Sequence, residues 1–278
     1  MGWVNDVAAE IDRLVVATHG RAGTMFAEHE LSQTMRAHPG LVNGLGGLLV
    51  EAPMELGAVE IIYPYLPEQI LQLLIQNNVD EGVVIVEDGM LRATEAGEVP
   101  ARLASDLLDR AADAMWAGSN LDAVEQTTST LVTHGRTVPP PLAKSAFTIM
   151  QVLVDGPTQA GRVFRLLSAL RYWRADAHRA AWGEVGLSVG EAHALNRLWD
   201  IDRGAERVGQ GEERPGRRGV AALTARGYAA DDAITELGRK AREAIEADTD
   251  ARTEPIYAPL DDAARTAFLD GLRELPIS

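Results

Sequence analysis

The sequence predicts a mainly α-helical protein with small β-hairpins, organised as two similar halves. Apolar residues recur at helical spacing along most of the chain, whereas β-branched runs are few and short. A Thr-Glu-x-Gly element occurs twice, at Thr94 and at Thr235, and each copy stands at the start of a predicted helix. The two copies are separated by about half of the 278 residues, which indicates an internal duplication.

Composition excludes several classes of protein. Hydrophobic residues make up 46% of the chain and charged residues 24%, as in a globular protein with room for two domains. The chain has no cysteine, so disulfides, thiolate nucleophiles and cysteine-based metal sites are excluded. No apolar run approaches the roughly 20 residues of a membrane span, and the first residues are too acidic for a signal peptide. We therefore expect a cytoplasmic protein with no membrane partner.

The charges are distributed unevenly between the halves. The net charge is -15, which argues against a protein that coats nucleic acid. Residues 1–100 contain 4 arginines and 15 acidic residues, whereas residues 162–226 contain 12 arginines and 8 acidic residues. Any face that binds an anion or DNA is therefore expected in the second half.

The first half begins with a predicted amphipathic helix over Val4–Ala17, which the stretch Thr18-His19-Gly20-Arg21 is expected to end. The glycine-rich stretch Leu41–Val50 lacks the spacing of a phosphate-binding loop and predicts a turn or a tight helix contact. Glu68–Asn77 is expected to form a further helix with a buried apolar stripe.

A β-hairpin follows in the first half. Residues 82–86 are rich in β-branched side chains, Glu87-Asp88-Gly89 predicts the turn, and Met90–Thr94 is expected to return as the second strand. Thr94 then caps a helix that runs toward Trp116. A helix, a hairpin and a second helix are typical of the end of a winged-helix unit, so residues 1–137 are predicted to be an acidic winged-helix-like domain.

The second half repeats this order. A helix is predicted to end at Gly227, Asp231–Ile234 forms a short wing, and Thr235 caps a helix toward Asp250. The prolines at 139–141 predict a linker, and Leu142–Val154 is expected to be a mainly apolar helix. Residues 138–278 are thus predicted to be a second winged-helix-like domain, which ends in a helix over Asp261–Leu275. We expect a homodimer formed through the terminal helices.

A polar and aromatic stretch stands before the second wing. In a single helix from Arg162 to Trp182, the side chains of Arg171, Arg174, His178 and Trp182 share one face, whereas Asp176 faces elsewhere. This face is either a site for a small anionic ligand or a contact between the two halves. The sequence Thr133-His134-Gly135-Arg136 repeats Thr18-His19-Gly20-Arg21, which indicates either a common helix cap or a shared binding role. The candidate ligand-binding residues are Arg171, Arg174, Asp176, His178, Trp182, His19 and Arg21.

DNA contact is predicted, if at all, for the second half, where Arg214, Arg217 and Arg218 form a candidate phosphate clamp before the helix in the recognition position. The corresponding helix in the first half offers glutamines but no cation. Acidic residues in both predicted wings are expected to repel the phosphates of a DNA backbone. The six histidines are scattered, so no metal site is predicted, and no catalytic residue or cofactor can be assigned because no nucleophile motif occurs.

Four motifs in the second half resemble a known family. They are Leu170-Arg171-x-x-Arg174-x-Asp176-x-His178 followed by Gly186-Leu187, Leu223-x-x-Arg226-Gly227, Ile234-Thr235-x-x-Gly238-Arg239, and Ile245-Glu246-x-x-Thr249-Asp250. Through them roughly residues 166–260 resemble an actinobacterial group labelled helix-turn-helix or SalK-like, and more distantly the MarR-type winged helix. Family members usually have an acidic residue and a glycine where this chain has Tyr172 and Ala175. The resemblance implies a winged-helix fold for the second half.

Three functions remain open from the sequence. The leading hypothesis is a winged-helix transcriptional regulator whose domains bind a ligand or a protein, with any DNA contact made by the second domain. The alternative is a small-molecule-binding protein or enzyme of specialised metabolism that uses a cleft between the domains around His178. A structural partner protein is the third.

Overall fold

A computed structural model describes residues 2–30, 48–50, 53–63, 66, 68–204 and 216–277. Within these ranges the longer elements are helices, and the strands are short. In chain order the elements are α1 (Trp3–Glu28), β1 (Met54–Glu55), α2 (Leu56–Ile62), α3 (Glu68–Asp80), β2 (Val84–Glu87), β3 (Met90–Ala93), α4 (Glu95–Met115), α5 (Asp122–Gly135), α6 (Ala146–Met150), a 3-10 turn (Gln151–Leu153), α7 (Gln159–Glu184), α8 (Val189–Asp202), α9 (Arg217–Ala225), β4 (Ala229–Ala230), β5 (Ala233–Ile234), α10 (Glu236–Thr253), a 3-10 turn (Glu254–Tyr257) and α11 (Asp262–Glu274). The predicted class, mainly α with small β-hairpins, is confirmed.

Both sheets are small and antiparallel. The first has the order β1-β3-β2, with Met54 opposite Leu91 and Val84 opposite Ala93. The second pairs β4 with β5 only. Each hairpin turns through two residues with positive φ, Asp88 and Gly89 in the first and Asp231 and Asp232 in the second. Positive φ angles at both turn residues match the strand twist that two-residue hairpin loops require. Gly and Asp adopt positive φ more readily than most residues, which explains why they occupy these turns.

The first helix is longer than predicted. α1 continues through Gly20 and Arg21 to Glu28, so the prediction that residues 18–21 end it is wrong. Thr18 is buried and its Oγ1 donates to the Leu14 carbonyl at 2.9 Å. Because Thr18 and Ala22 continue the buried stripe of the helix, packing outweighs the cost of a glycine in its interior. Most of the glycine-rich stretch 41–50 lies outside the described residues, and Leu48–Val50 are helical.

The predicted helix over Leu142–Val154 is also wrong in its extent. Only α6, from Ala146 to Met150, and one 3-10 turn form there. Ser145 caps α6, and the backbone N–H groups of Ala146 and Phe147 donate to Asp176 on α7. A distant carboxylate thus fixes the start of this helix, which local periodicity does not reveal.

The core is organised around α7, a helix of 26 residues. Its buried apolar side chains lie against those of α1, α4, α5 and α11 in one cluster, which includes Val7, Leu14, Leu131, Leu167 and Leu272. This cluster draws on both sides of residue 137. The division into domains 1–137 and 138–278 therefore stays a prediction, and the two segments share a core.

The two halves pack on each other reciprocally. The start of α1 lies against α11, where the indole N–H of Trp3 donates to the carbonyl of Arg265 at 3.0 Å. The start of α7 lies against α5, where Gln159 donates to both Asp122 and Glu125 at 2.8 and 2.9 Å. The first long helix of each half thus contacts the last long helix of the other.

The two Thr-Glu-x-Gly elements have the same structure. The Oγ1 atoms of Thr94 and Thr235 each accept from the backbone N–H of the glycine three residues on, at 3.1 Å in both cases. Each hydroxyl also donates to the carbonyl of a glycine before the hairpin, Gly82 or Gly227. Those two glycines have φ values of 72° and 75°. The matched hydrogen bonds extend the sequence repeat to the atomic level.

Candidate functional site

The candidate site lies in the second half, where α8 and α9 form a pair of helices. Ser188 and Glu191 form a capping box at the start of α8. α9 crosses α8 very closely, since a Cβ atom on Gly219 would lie 2.4 Å from the carbonyl oxygen of Gly190. Only glycine at position 219 allows this approach. The crossing holds the start of α9 in a fixed position on the surface of the unit.

Two of the three predicted phosphate-binding arginines are described. Arg217 and Arg218 occupy the first turn of α9 and are exposed, whereas Arg214 lies outside the described residues. Cations near the N-terminus of a helix are unfavourable for the helix dipole. Two exposed arginines at this position therefore do not stabilise the helix end through its dipole.

Other arginines of this unit are held by carboxylates. The Nε of Arg226 lies 2.6 Å from Glu191, and Arg239 forms a two-pronged pair with Asp202 at 2.6 and 2.9 Å. Burial raises the pKa of Glu191, but the hydrogen bonds from Ser188 and then from Arg226 outweigh this and lower it, so this carboxylate stays charged at neutral pH. These ion pairs connect α8 to α9 and α10. Because the guanidinium groups of Arg226 and Arg239 are paired with carboxylates, they are less available to DNA phosphates.

The second wing does not favour phosphate. Its turn consists of Asp231 and Asp232, both exposed, and repulsion from phosphate is expected where a wing approaches the DNA backbone. Arg217 and Arg218 at the start of α9 are exposed arginines of this unit. A DNA contact by this unit would therefore depend on the helix.

The face of α7 that carries Arg174 and His178 lies against α10. Arg174 contacts Glu246 at 2.9 Å and Asp250 at 3.2 Å, and it also donates to Asn5 of α1 at 3.3 Å. The carboxylates that face Arg174 thus come from the second half, and the first half contributes an amide. Since a cation here already has two carboxylates, the contact between helices explains Arg174 without a bound anion.

The same contact contains His178. Its Nδ1 lies 3.1 Å from the hydroxyl of Thr249 and 3.5 Å from Glu246. Burial raises the pKa of Glu246, but Arg242, Arg174 and His178 together outweigh this and lower it. Glu246 is therefore a carboxylate at neutral pH that accepts hydrogen bonds from Arg174 of α7 and Arg242 of α10, and it lies close to His178. Glu246 and Asp250 stand in the motifs of the second half, but helical periodicity alone gave them no role.

Most of the other predicted ligand-binding residues have partners of their own. Arg171 forms an exposed ion pair with Asp12 of the first half at 2.7 Å. The Nδ1 of His19 lies 3.0 Å from the Val15 carbonyl, and its ring packs against Phe164. Arg21 is exposed on α1. Trp182 is buried with α8 and α9 in a separate apolar cluster. The structure does not bring these side chains together around one cavity.

Asp176 serves a different part of the fold. It is fully buried and accepts from the Ser145 hydroxyl at 2.7 Å and from two backbone N–H groups at 3.1 Å. Burial raises its pKa, and these hydrogen bonds oppose the rise. The carboxylate of Asp176 points toward α6, whereas Arg174 points toward α10, so the two side chains act separately.

A nearly buried ion pair between the halves was not predicted. Arg165 of α7 binds Asp109 of α4 through two hydrogen bonds of 2.7 and 3.1 Å, and both side chains are nearly buried. Ser105 accepts a further hydrogen bond from Arg165. Neither residue belongs to a motif. The only sequence signal is that Asp109 lies among the apolar positions of an amphipathic helix.

The described residues contain neither a candidate metal site nor a candidate membrane span. No group of three histidine or acidic side chains there is suitable for holding a metal ion. None of the helices in these ranges has both the length and the apolar character to cross a membrane.

A comparison with known protein families found a match within the second half. Residues 152–276 match the model of a helix-turn-helix family. The match begins just before α7 and contains all elements from α7 to α11. In general terms, a helix-turn-helix domain suggests a DNA-binding regulator. A search of curated proteins and a search of solved structures both returned no match.

Proposed function

We propose that this protein is a DNA-binding regulator that contacts DNA through its second half, with α9 as the recognition helix. The observation that carries the proposal is the pair of exposed arginines, Arg217 and Arg218, at the start of a helix that α8 holds in place. The match of this region to a helix-turn-helix family supports the same role. In such motifs the N-terminal residues of the second helix approach the base edges and the phosphates.

We also propose that the first half is a winged-helix unit without a DNA contact. Its β1-β3-β2 sheet, the helix α3 and the matched threonine caps support the first part of this proposal. The helix α3 carries glutamines but no arginine or lysine, and its wing turn contains Glu87 and Asp88. Phosphate neutralisation needs cations, so this face is expected to repel DNA.

The two units are proposed to form an internal pair that takes the place of the expected homodimer. In a two-fold dimer, when helix A of one subunit contacts helix B of the partner, helix B of the first subunit also contacts helix A of the partner. The contacts α1 with α11 and α7 with α5 follow this rule within one chain. The terminal helices, which were expected to contact a second copy, are the helices that form these contacts.

Fluorescence anisotropy with a randomised 30-base-pair DNA library at low salt tests the DNA contact. We expect measurable binding, because non-specific affinities are strongest at low salt. The double variant Arg217→Ala/Arg218→Ala should weaken binding and reduce the salt slope by about 2, since each lost phosphate contact contributes about 0.9.

The matched control is Arg102→Ala/Arg110→Ala, which removes two exposed arginines from α4 in the first half. It removes the same amount of charge from the half that is proposed to make no DNA contact, so the salt slope should stay unchanged. Equal effects of the two double variants, or no binding by the wild-type protein, would refute the proposed contact.

A further inference from the structure

A cleft lies between the two halves, on the side of α7 that faces α5. It has a volume of about 480 Å³, within the range of ligand sites. One complete face of α5 forms its floor, and α7 and the segment before it form the opposite wall. The residues that line it include Asp122, Glu125, Ser129, Thr133, Arg136 and Arg162.

The two ends of this cleft have opposite charge. At the start of α5, Asp122 and Glu125 line the cleft together with Arg162, which pairs with Glu125. Arg162 also donates to the carbonyl of Gly156 at 3.5 Å, so the adjacent Asp155 lies near this end. Three carboxylates and one guanidinium give this end a net charge of about -2 at neutral pH. At the other end of α5, Arg136 supplies a positive charge. Ser129 and Thr133 place exposed hydroxyl groups between the ends.

One charge at each end is not used by the fold. Arg136 donates its Nε to Gln151 at 2.9 Å, and it forms no ion pair with any residue that the structure describes. Asp155 is exposed and, within the same ranges, has no ion pair or side-chain hydrogen bond. By contrast, Glu125 and Arg162 bind each other at 2.7 Å. The cleft therefore has a guanidinium and a carboxylate that remain available to a ligand.

The length of the floor sets the size of that ligand. Glu125 lies on α5, and Arg136, the residue that follows the helix, is eleven positions later, which corresponds to about 16 Å along a helix axis. The arginine side chain extends several ångströms into the cleft and shortens this span. An extended peptide covers about 3.4 Å per residue, so three to five residues would reach from one end to the other.

From these observations we infer that the cleft binds the two charged ends of a short peptide of three to five residues. The terminal carboxylate pairs with Arg136, and the terminal ammonium lies among Asp122, Glu125 and Asp155. The hydroxyl groups of Ser129 and Thr133 contact the peptide backbone. This site is independent of the proposed DNA contact, which lies on α9.

Isothermal titration calorimetry of the full-length protein with free alanine peptides of two to six residues tests this inference. We expect saturable binding that is strongest for lengths of three to five. Acetyl-tetra-alanine and tetra-alanine amide each lack one terminal charge, and each should bind about tenfold more weakly, because a charge-assisted hydrogen bond is lost. Absence of binding for all lengths, or equal binding by the blocked peptides, would overturn the inference.

Two variants localise the site. Ser129→Trp fills the middle of the cleft and should abolish binding, whereas Thr130→Trp, exposed on the next position of α5 and outside the lining, should not. Arg136→Gln should weaken free tetra-alanine to the level of its amide. Circular dichroism melting curves establish that the variants are folded. Wild-type affinity in both Ser129→Trp and Arg136→Gln would also overturn the inference.

Discussion

Arg165 and Asp109 form a two-pronged ion pair across the centre of the molecule, with side chains only 11% and 6% exposed. Removing one partner leaves an uncompensated buried charge, which typically costs 3–5 kcal/mol. We expect Asp109→Asn to lower the free energy of unfolding by about 3 kcal/mol, as measured by urea denaturation. The double variant Asp109→Leu/Arg165→Met should recover much of that loss, because no charge is then left unpaired.

The same helix provides a control for this prediction. Asp106 pairs with Arg110 at 3.7 Å, and both side chains are more than half exposed. Exposed pairs of this kind contribute about 0.3–0.5 kcal/mol, so Asp106→Asn should have little effect. If Asp106→Asn and Asp109→Asn were equally destabilising, burial would not explain the strength of the inner pair.

The two glycines of the Thr-Glu-x-Gly elements should be equally intolerant of a side chain. A Cβ atom on Gly97 would lie 1.9 Å from the Val83 carbonyl oxygen, and one on Gly238 would lie 2.2 Å from that of Tyr228. Each Gly→Ala substitution must displace backbone, so we expect a loss of more than about 2 kcal/mol in thermal or urea unfolding.

Gly183→Ala is the matched control for these substitutions. Gly183 lies in α7, and a Cβ atom added to it would meet no other atom within 4 Å. Alanine should therefore be neutral there or stabilise the protein by about 0.5 kcal/mol. A large difference between the losses at positions 97 and 238 would argue against equivalent units.

Glu246 should make the stability of the protein depend on acid pH. Burial opposes its ionisation, but Arg242, Arg174 and His178 lower its pKa below the usual value of 4.5. An acid with a depressed pKa in the folded state contributes its stabilisation in full above pH 4.5, and this contribution is lost as the pH falls through the folded pKa.

We therefore expect Glu246→Gln to cost about 2 kcal/mol at pH 7, where its cations lose a charged acceptor, and progressively less below pH 4.5. Urea denaturation at a series of pH values measures this difference. Glu243→Gln, at an exposed position of the same helix, should give a small difference at every pH. A cost of Glu246→Gln that did not change between pH 7 and pH 3 would contradict the assignment.

Asp176 should control the order of α6. Its three accepted hydrogen bonds begin this helix, and an amide at this position replaces one carboxylate oxygen by a donor. We expect Asp176→Asn to destabilise the protein by about 2 kcal/mol and to speed amide exchange at residues 146 and 147, as measured by hydrogen–deuterium exchange. Asp155→Asn, at an exposed loop position, should change neither quantity. Unchanged exchange in Asp176→Asn would rule out a positioning role.

The sequence predicted the elements that local chemistry determines. Thr94 and Thr235 cap helices because a hydroxyl three residues before an N–H is a local arrangement, and the turn at Asp88-Gly89 follows from backbone preference alone. The terminal helix was also placed correctly, and the structure shows that Asp261 caps it. These features need no knowledge of the rest of the fold.

Long-range packing determines the features that the sequence did not predict. α1 continues beyond Gly20 because its buried stripe has partners on other helices, and α6 starts where Asp176, 30 residues later, binds its first N–H groups. The helical wheel correctly separated Arg174 from Asp176. It gave no means of choosing Glu246 and Asp250 as the partners of Arg174, since any of the many acidic residues fitted equally well.

The contact between α1 and α11 has a consequence for synthesis on the ribosome. The apolar side of α1 includes Val7 and Leu14, and part of its covering, such as Leu272, comes from α11. Trp3 likewise finds its acceptor at Arg265. The first helix therefore remains incompletely covered until residues beyond 260 have been translated. Nascent chains of this protein should present apolar surface for most of translation, and they should depend on chaperones more than proteins whose first helices are covered by nearby sequence.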